Sequence, residues 1–288
     1  IFLIFNWGDG STAELTNYLK DFNIPTVCIH KEGIMSKIFR ENYLDILNNN
    51  RERFYGEKLL VYNEETRQTF LNNNYRNNQI EVVGSVRFDY IHSLLNQNID
   101  QNKIVLFHPS INAQLPDLLG KNFNFDWNEI VINFYETLNK LLSEFSNKKF
   151  ILKIKTRDIN NIKKYITGSH KNLILDYSTS SLELLKNAKT CIGFNTTALL
   201  EAAAFGIPAI NFVPDHILNK YSDYIIDYKS LVICTAKYEI IKNNIDKITQ
   251  RIIFDVQKKN DFQTIVGNSE GNAKKNIVNS ILNLVKND

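Results

Sequence analysis

The segment Cys191–Phe212, CIGFNTTALLEAAAFGIPAINF, admits few folds. Cys191–Phe194 is short and carries no ionisable side chain other than a thiol, the composition of a strand covered on both faces. Asn195, Thr196 and Thr197 then supply three consecutive helix N-cap types, and Ala198–Phe205 is a strong helix former whose alanines let a neighbouring backbone come close. Gly206 and Pro208 stop that helix, one by tolerating a left-handed C-cap and the other by refusing to continue it. Ala209–Phe212 is a second apolar strand. Strand, helix and strand in so short a span describe a parallel βαβ unit.

The same alternation runs through the chain and predicts an α/β protein. In the first part, strands are expected at Ile1–Asn6, Pro25–Ile29, Lys58–Tyr62 and Glu81–Val83, with helices at Thr12–Phe22, Ser36–Asn48 and Glu64–Leu71. The polar run Asn96–Lys103 has the composition of a linker. The pattern then restarts with strands at Ile104–Phe107, Phe150–Ile154 and Leu173–Asp176, and helices at Trp127–Ser146, Asn160–Thr167 and Ser181–Asn187. Two Rossmann-like parallel-sheet domains are therefore expected, residues 1–98 and 99–288, the second closed by an amphipathic helix over Ala273–Val285. The chain opens inside a strand and without a start methionine, so upstream strands could be missing from the first domain.

Composition removes several function classes. The 288 residues can bury a large core, and a net charge of +3 gives no global field for nucleic acid. Three cysteines, Cys28, Cys191 and Cys234, are far apart in apolar runs and read as reduced core residues of a cytoplasmic protein. No stretch approaches the ~20 apolar residues of a membrane span. Five scattered histidines, no cysteine pair at ligand spacing and no Asp-x-Asp give no metal site, so chemistry without a divalent metal or other cofactor is expected. No Walker loop, dinucleotide fingerprint or Gly-x-Ser-x-Gly elbow occurs.

What remains points to an anion. A helix N-terminus after a strand offers free N–H groups and a partial positive charge, which suits a phosphate at Asn195–Thr197. Glu201 sits one turn deeper, where a carboxylate can accept from a sugar diol; a well-capped helix in any α/β domain explains these residues equally well. Lys153, Lys155 and Arg157 put three cations around a strand end, with Lys153 and Lys155 on one face if the strand reaches that far. His108 and Ser110 lie in the first loop of the second domain; for His108, ligand contact and plain structural hydrogen bonding weigh about the same. In the first domain, Trp7–Ser11 is a weak Gly-containing phosphate loop. His30-Lys31-Glu32-Gly33 follows a strand end, the place open α/β sheets give their ligands. Gly33 allows a sharp turn, and Glu32 beside a lysine is a candidate base; a solvated turn is the plain alternative.

These motifs resemble those of GT-B glycosyltransferases. Asn195-Thr196-Thr197, Glu201-Ala202 and Gly206-Ile207-Pro208 are similar to the family's nucleotide-holding segment, a hydroxyl-rich turn, then Glu-Ala, then Gly-x-Pro. Gly84-Ser85-Val86-Arg87-Phe88-Asp89 resembles the Gly-Asn-Pro-Arg-Phe-Asp that closes the first domain in bacterial surface-carbohydrate proteins related to Kdo and sialic-acid-type transferases. In those relatives Glu32-Gly33 matches the end of an acidic pair followed by glycine, whereas His30 and Lys31 depart from it. Lys155-Thr156 replaces a His-Pro that the family sets on the donor phosphate.

The resemblance implies a cytoplasmic transferase with a cleft between its domains. Its donor would be a nucleotide sugar, favoured as a CMP-linked keto-sugar acid such as Kdo, and its acceptor a cell-surface glycan or glycolipid. Lys153, Lys155, Asn195, Thr196, Thr197, Glu201, His108 and Ser110 would bind the nucleotide. Glu32, His30 and Lys31 would serve catalysis. Lys274, Lys275 and Lys286 offer a peripheral contact with anionic lipid of the inner membrane, beside the plainer reading of a solvated face. Three alternatives stay open: a CDP-alditol phosphotransferase, a nucleotide-sugar epimerase on the same fold, and a non-catalytic binding domain of a larger glycan-assembly protein.

Overall fold

The computed structural model describes residues 1–5, 10–31, 33–41, 53–92, 99–110, 127–162, 164–247, 250–267 and 270–286. The chain divides into two compact units, Ile1–His92 with Val256–Asp288, and Ser93–Asp255. Each is built on one parallel sheet.

In the first unit, β1 (Phe2–Ile4), β2 (Thr26–Ile29), β3 (Lys58–Val61) and β4 (Ile80–Val82) lie side by side in chain order. All three ladders are parallel, with Cys28 opposite Leu59 and Leu59 opposite Ile80. Because side chains alternate across a strand, Cys28, Leu59, Val61 and Ile80 share one face and pack with Phe54, Phe70 and Tyr75. Val27, Leu60 and Val83 point the other way and are covered by Ile277, Ile281 and Leu284. Those last three belong to the helix Ala273–Lys286. The C-terminal helices Val256–Val266 and Ala273–Lys286 therefore complete the first unit, whereas the sequence had assigned everything after residue 98 to the second domain. Amphipathic spacing identifies a helix but not the sheet face that it covers.

Asparagine and aspartate fix this return of the chain. Asn63 caps the helix Glu64–Leu71, its Oδ1 accepting from the Thr66 N–H at 2.8 Å, while its Nδ2 donates to the Ile265 carbonyl at 2.6 Å. Asp89, on the helix Val86–His92, accepts from the N–H groups of Ala273 at 3.1 Å and Lys274 at 2.7 Å. It is thus an N-cap for the terminal helix supplied from nearly two hundred residues away in sequence. Asp89→Ala should cost about 1 kcal/mol, the usual worth of a cap. Urea unfolding followed in the first unit would read it, and an unchanged midpoint would show that water satisfies those N–H groups equally well.

In the second unit the strands are β5 (Lys103–Phe107), β6 (Lys149–Lys153), β7 (Leu173–Asp176), β8 (Thr190–Gly193), β9 (Ala209–Asn211) and β10 (Ile233–Cys234). Their spatial order is β10-β9-β8-β5-β6-β7, every ladder parallel. The helix Asn128–Glu144 presents Ile130, Val131, Phe134, Tyr135, Leu138, Leu141 and Leu142 on one stripe. That stripe packs on Ile104, Leu106, Phe150, Leu152, Ile192, Phe194, Ile210 and Phe212, the same face of four successive strands. The helix Ala198–Ala204 lies against β8 and β9.

The expected helix over Asn160–Thr167 is cut to Ile159–Ile162, because the chain turns at Tyr165, whose N–H donates to the Ile162 carbonyl. The two-residue β10 and the helices Asp215–Tyr221, Tyr238–Lys247 and Val256–Val266 had no counterpart in the sequence reading. Cys28 and Cys191 are buried, Cys234 is half-buried, and all three are free thiols. Among the described residues no helix is long and apolar enough to cross a membrane.

Candidate functional site

The order of the second sheet locates the site. From β5 the chain builds outward through β6 to β7, then returns to the other side of β5 and builds through β8 and β9 to β10. The direction reverses between β5 and β8, and in open α/β sheets the loops leaving the carboxyl ends of strands at such a reversal diverge and leave room for a ligand. Those two loops carry His108 to Ser110 and Asn195 to Thr197.

Gly193 allows the loops to start close together. A side chain there would meet Thr196 Cγ2 at 3.0 Å and Phe107 Cβ at 3.3 Å. The next turn is made by Asn195 in the left-handed region at φ +47°, which asparagine tolerates better than most residues. Its side chain does not cap the helix. Instead the Asn195 amide donates to the Tyr224 carbonyl at 3.0 Å, its oxygen accepts from the Ile226 N–H at 2.7 Å, and its own N–H donates to Asn211 Oδ1 at 2.8 Å. Asn195 is therefore a buried clamp, not a ligand residue.

Thr196 and Thr197 remain. Thr197 opens the helix without a side-chain capping bond, and the Thr196 hydroxyl accepts only a long 3.4 Å bond from the Ala198 N–H. Among the described residues the backbone N–H groups of Thr196 and Thr197 have no hydrogen-bond partner. Two N–H groups and a hydroxyl at a sheet reversal form a donor set suited to phosphate oxygens.

Across the reversal, the His108 N–H donates to the Lys153 carbonyl at 3.0 Å, and His108 Nδ1 lies 3.0 Å from the hydroxyl of Tyr135. Ser110 Oγ donates to Asp158 Oδ2 at 2.8 Å, tying this loop to the turn after β6. Burial lowers the His108 pKa, and the nearby Lys155 ammonium lowers it further against the opposing pull of Asp158. On balance these favour the neutral imidazole. Lys155 is exposed beside it.

Other sequence candidates go elsewhere. Lys153 stands opposite Asp176 in the β6–β7 ladder and binds its carboxylate at 3.0 Å, so it braces the sheet. That carboxylate also accepts from the Thr179 N–H at 3.1 Å and the Thr179 hydroxyl at 2.6 Å. The expected shared face of Lys153 and Lys155 fails because the strand ends at Lys153. The side chain of Arg157 lies outside the described part.

Glu201 is wholly buried, with Oε2 accepting from the Ser181 hydroxyl at 2.8 Å. A ribose cannot reach it in this arrangement, because the one-turn spacing that placed it below the loop placed it in the core. His30 is only 3 % exposed and packs edge-on to Phe70. It is a core histidine rather than an exposed base, since its position ends a strand buried on both faces. Lys31 is exposed, and its carbonyl accepts from the Tyr62 hydroxyl at 2.9 Å. Glu32 and residues 7–9 of the Gly-containing loop lie outside the described residues. Gly33 is required for packing, since any side chain would overlap the Tyr62 ring at 2.3 Å.

Sequence reasoning missed Tyr135, Tyr165 and Asp158. Tyr135 looks like one more core residue on a helical stripe, and only the fold shows that its hydroxyl meets His108. Tyr135 stacks on Tyr165 at 5.1 Å with the rings 13° apart. A separate cavity of about 410 Å³ opens beyond β9 and β10, between Phe212, Pro214, Tyr238 and the helix Asn128–Glu144, and none of the sequence candidates lines it. Among the described residues no three His, Cys, Asp or Glu side chains converge as metal ligands would.

No family model and no curated protein matches the sequence. Solved structures do match the fold. The UDP-GlcNAc 2-epimerase from Methanocaldococcus jannaschii superposes with a TM-score of 0.59 at 15% identity, covering 97% of this chain and 74% of its own. The UDP-GlcNAc 2-epimerase from Neisseria meningitidis, bound to UDP-GlcNAc, gives 0.57 at 14%, covering 98% and 75%. The wall teichoic acid polymerase TagF gives 0.55 at 13%, covering 92% and 69%. At such identities the likeness shows the fold: two Rossmann-like parallel-sheet units of the GT-B class.

Proposed function

We propose that the protein is an enzyme acting on a nucleotide-activated sugar, which it transfers to a cell-surface glycan acceptor. The observation that carries this reading is the donor set at the β5–β8 reversal: the Thr196 and Thr197 N–H groups and the Thr197 hydroxyl are on the loop after β8, and His108, with Lys155 near it, is on the loop after the neighbouring β5. A diphosphate or phosphodiester placed there accepts from these groups, and Lys155 offsets its charge. Of the catalytic candidates, Glu32 and Lys31 stay in this proposal on their sequence pattern, and His30 leaves it. The membrane and acceptor contacts rest on the sequence resemblance alone.

The nucleotide divides the proposal in two. Resemblance in sequence favours a CMP-linked keto-sugar acid. Solved structures of similar fold include proteins bound to UDP-GlcNAc, which favours a second reading, epimerisation of a UDP-sugar. A thermal-shift series with CMP, CDP, UDP and GDP separates the two, because a ligand bound only by the native state raises the melting temperature. Incubation with UDP-GlcNAc and no acceptor separates the activities, since an epimerase forms product alone and a transferase does not. No shift with any nucleotide would overturn both readings.

Lys155→Ala should weaken binding of the selected nucleotide roughly three- to tenfold, an exposed charge-assisted contact. Lys153→Ala should leave that affinity nearly unchanged, its ammonium being engaged by Asp176. Calorimetric titration of both variants checks the pair, and the reverse order would move the phosphate to Lys153.

A further inference from the structure

We propose that Tyr135 is a positioning residue that holds His108 in the tautomer protonated on Nε2, so that the ring offers an N–H donor and not a basic nitrogen. The role of the donor rests on the reading of the β5–β8 loops as a phosphate site; the tautomer itself does not.

Tyr135 is 1% exposed, and burial first, then Tyr165 and Asp158, push its pKa far above the ordinary tyrosine value. The hydroxyl therefore keeps its proton, and a buried O–H without an acceptor is costly. Among the described residues its hydrogen-bond partner is His108 Nδ1 at 3.0 Å. If Nδ1 carried the proton, it would donate to the phenol oxygen and leave the phenol proton without an acceptor. If Nδ1 is bare, the phenol donates to it and both groups are satisfied. A neutral imidazole has one proton to place, which then lies on Nε2.

Packing holds the arrangement. The Tyr135 ring is pinned by the stack on Tyr165 and by Phe134, with 5.5 Å between centroids. The His108 backbone is fixed by its bond to Lys153. The ring thus has one nitrogen committed inward. Among the described residues, Asp158 and Lys155 are the charged groups acting on the imidazole, and they oppose one another.

A bare Nε2 would take a proton from an acceptor hydroxyl, whereas Nε2–H hydrogen-bonds an anionic oxygen. His108 in this state binds phosphate oxygen and does not serve as the base.

The test is long-range ¹H–¹⁵N correlation of histidine-labelled protein without ligand at pH 7.5. His108, assigned by its loss in His108→Gln, should show the pattern of a protonated Nε2 and a bare Nδ1. An Nδ1–H pattern would overturn the proposal outright, and the wild type alone decides this. In Tyr135→Phe the ring should become a mixture of tautomers and its pKa should rise, because the lost bond stabilised only the neutral form. An unchanged pattern in a folded Tyr135→Phe would equally overturn it.

Titration with UDP, or whichever tested nucleotide raises the melting temperature, completes the set. Tyr135→Phe should weaken binding roughly two- to fivefold. In a His108→Gln background, where an amide N–H replaces the ring donor, the same change should have no further effect. Equal losses in both backgrounds would make Tyr135 merely structural. If no nucleotide binds while the ligand-free tautomer is as stated, the functional reading fails and the positioning of His108 stands.

Discussion

Asn63→Ala is expected to lower the stability of the first unit by roughly 3 kcal/mol, the sum of a lost helix cap and of buried carbonyls left without a donor. Asn63 is 3% exposed and joins three parts of the chain. Its oxygen accepts from the Thr66 N–H at 2.8 Å and from the Thr66 hydroxyl at 2.7 Å. Its amide donates to Ile265 at 2.6 Å and to Gly33 at 3.3 Å. Alanine removes all four bonds, and no water can replace them at that depth without opening the packing. Asn63→Ser makes the comparison sharp, because serine can still cap Thr66 but is too short to reach Ile265. It should recover about 1 kcal/mol of the loss. Urea denaturation of the three proteins reads the series, and a deficit below about 1 kcal/mol for alanine would show that the return of the C-terminal helices does not depend on this residue.

Acidification should destabilise the protein between pH 6.5 and about 4, and His30 should be the main cause. In the unfolded chain His30 takes up a proton near the ordinary histidine value of 6.5, but in the folded protein burial first, and Lys31 second, lower its pKa to about 4. The folded state therefore cannot accept a proton that the unfolded state readily binds. Stability is complete above pH 6.5 and falls as the pH drops toward 4, by at most ~1.4 kcal/mol per unit and roughly 3 kcal/mol in total.

The carboxylates held low, Glu64, Glu144 and Asp176, add their own losses mainly below their ordinary values of 4.5 and 3.8, so the window above 4.5 is dominated by the imidazoles. His108 shifts in the same direction and leaves a smaller residual slope. His30→Phe keeps a ring against Phe70, 5.8 Å away, and removes the titration. Its unfolding free energy should be nearly level from pH 7 to 4.5. A slope equal to that of the wild type would assign the acid sensitivity to other groups.

The strands other than the two-residue β10 were legible because period-two and all-apolar runs leave few other structures. Leu173–Asp176 was placed to the residue, and the βαβ unit after Cys191 was placed to within one residue. The site was legible only in part. Asn195 and Thr197 belong to the same N-cap class, and sequence cannot say that one turns left-handed to clamp Tyr224 and Ile226 while the other keeps its N–H bare. Lys153 and Lys155 are alike until the register sets Asp176 opposite the first of them. Glu201 and His30 carry charge-capable groups that composition places outside and packing places inside. Tyr135 gives no signal at all, since its hydroxyl becomes informative only when the end of β5 arrives next to it.

The return of Val256–Asp288 to the first unit also orders events in time. A ribosome delivers residues in sequence, at ~5–20 per second. Every residue of the second unit has been made before the helix that covers Val27, Leu60 and Val83 exists. For on the order of ten seconds or more, one face of the first sheet waits uncovered while its neighbour can already fold. The earliest part of the chain is thus among the last to finish, and it is where a chaperone would find apolar surface to hold.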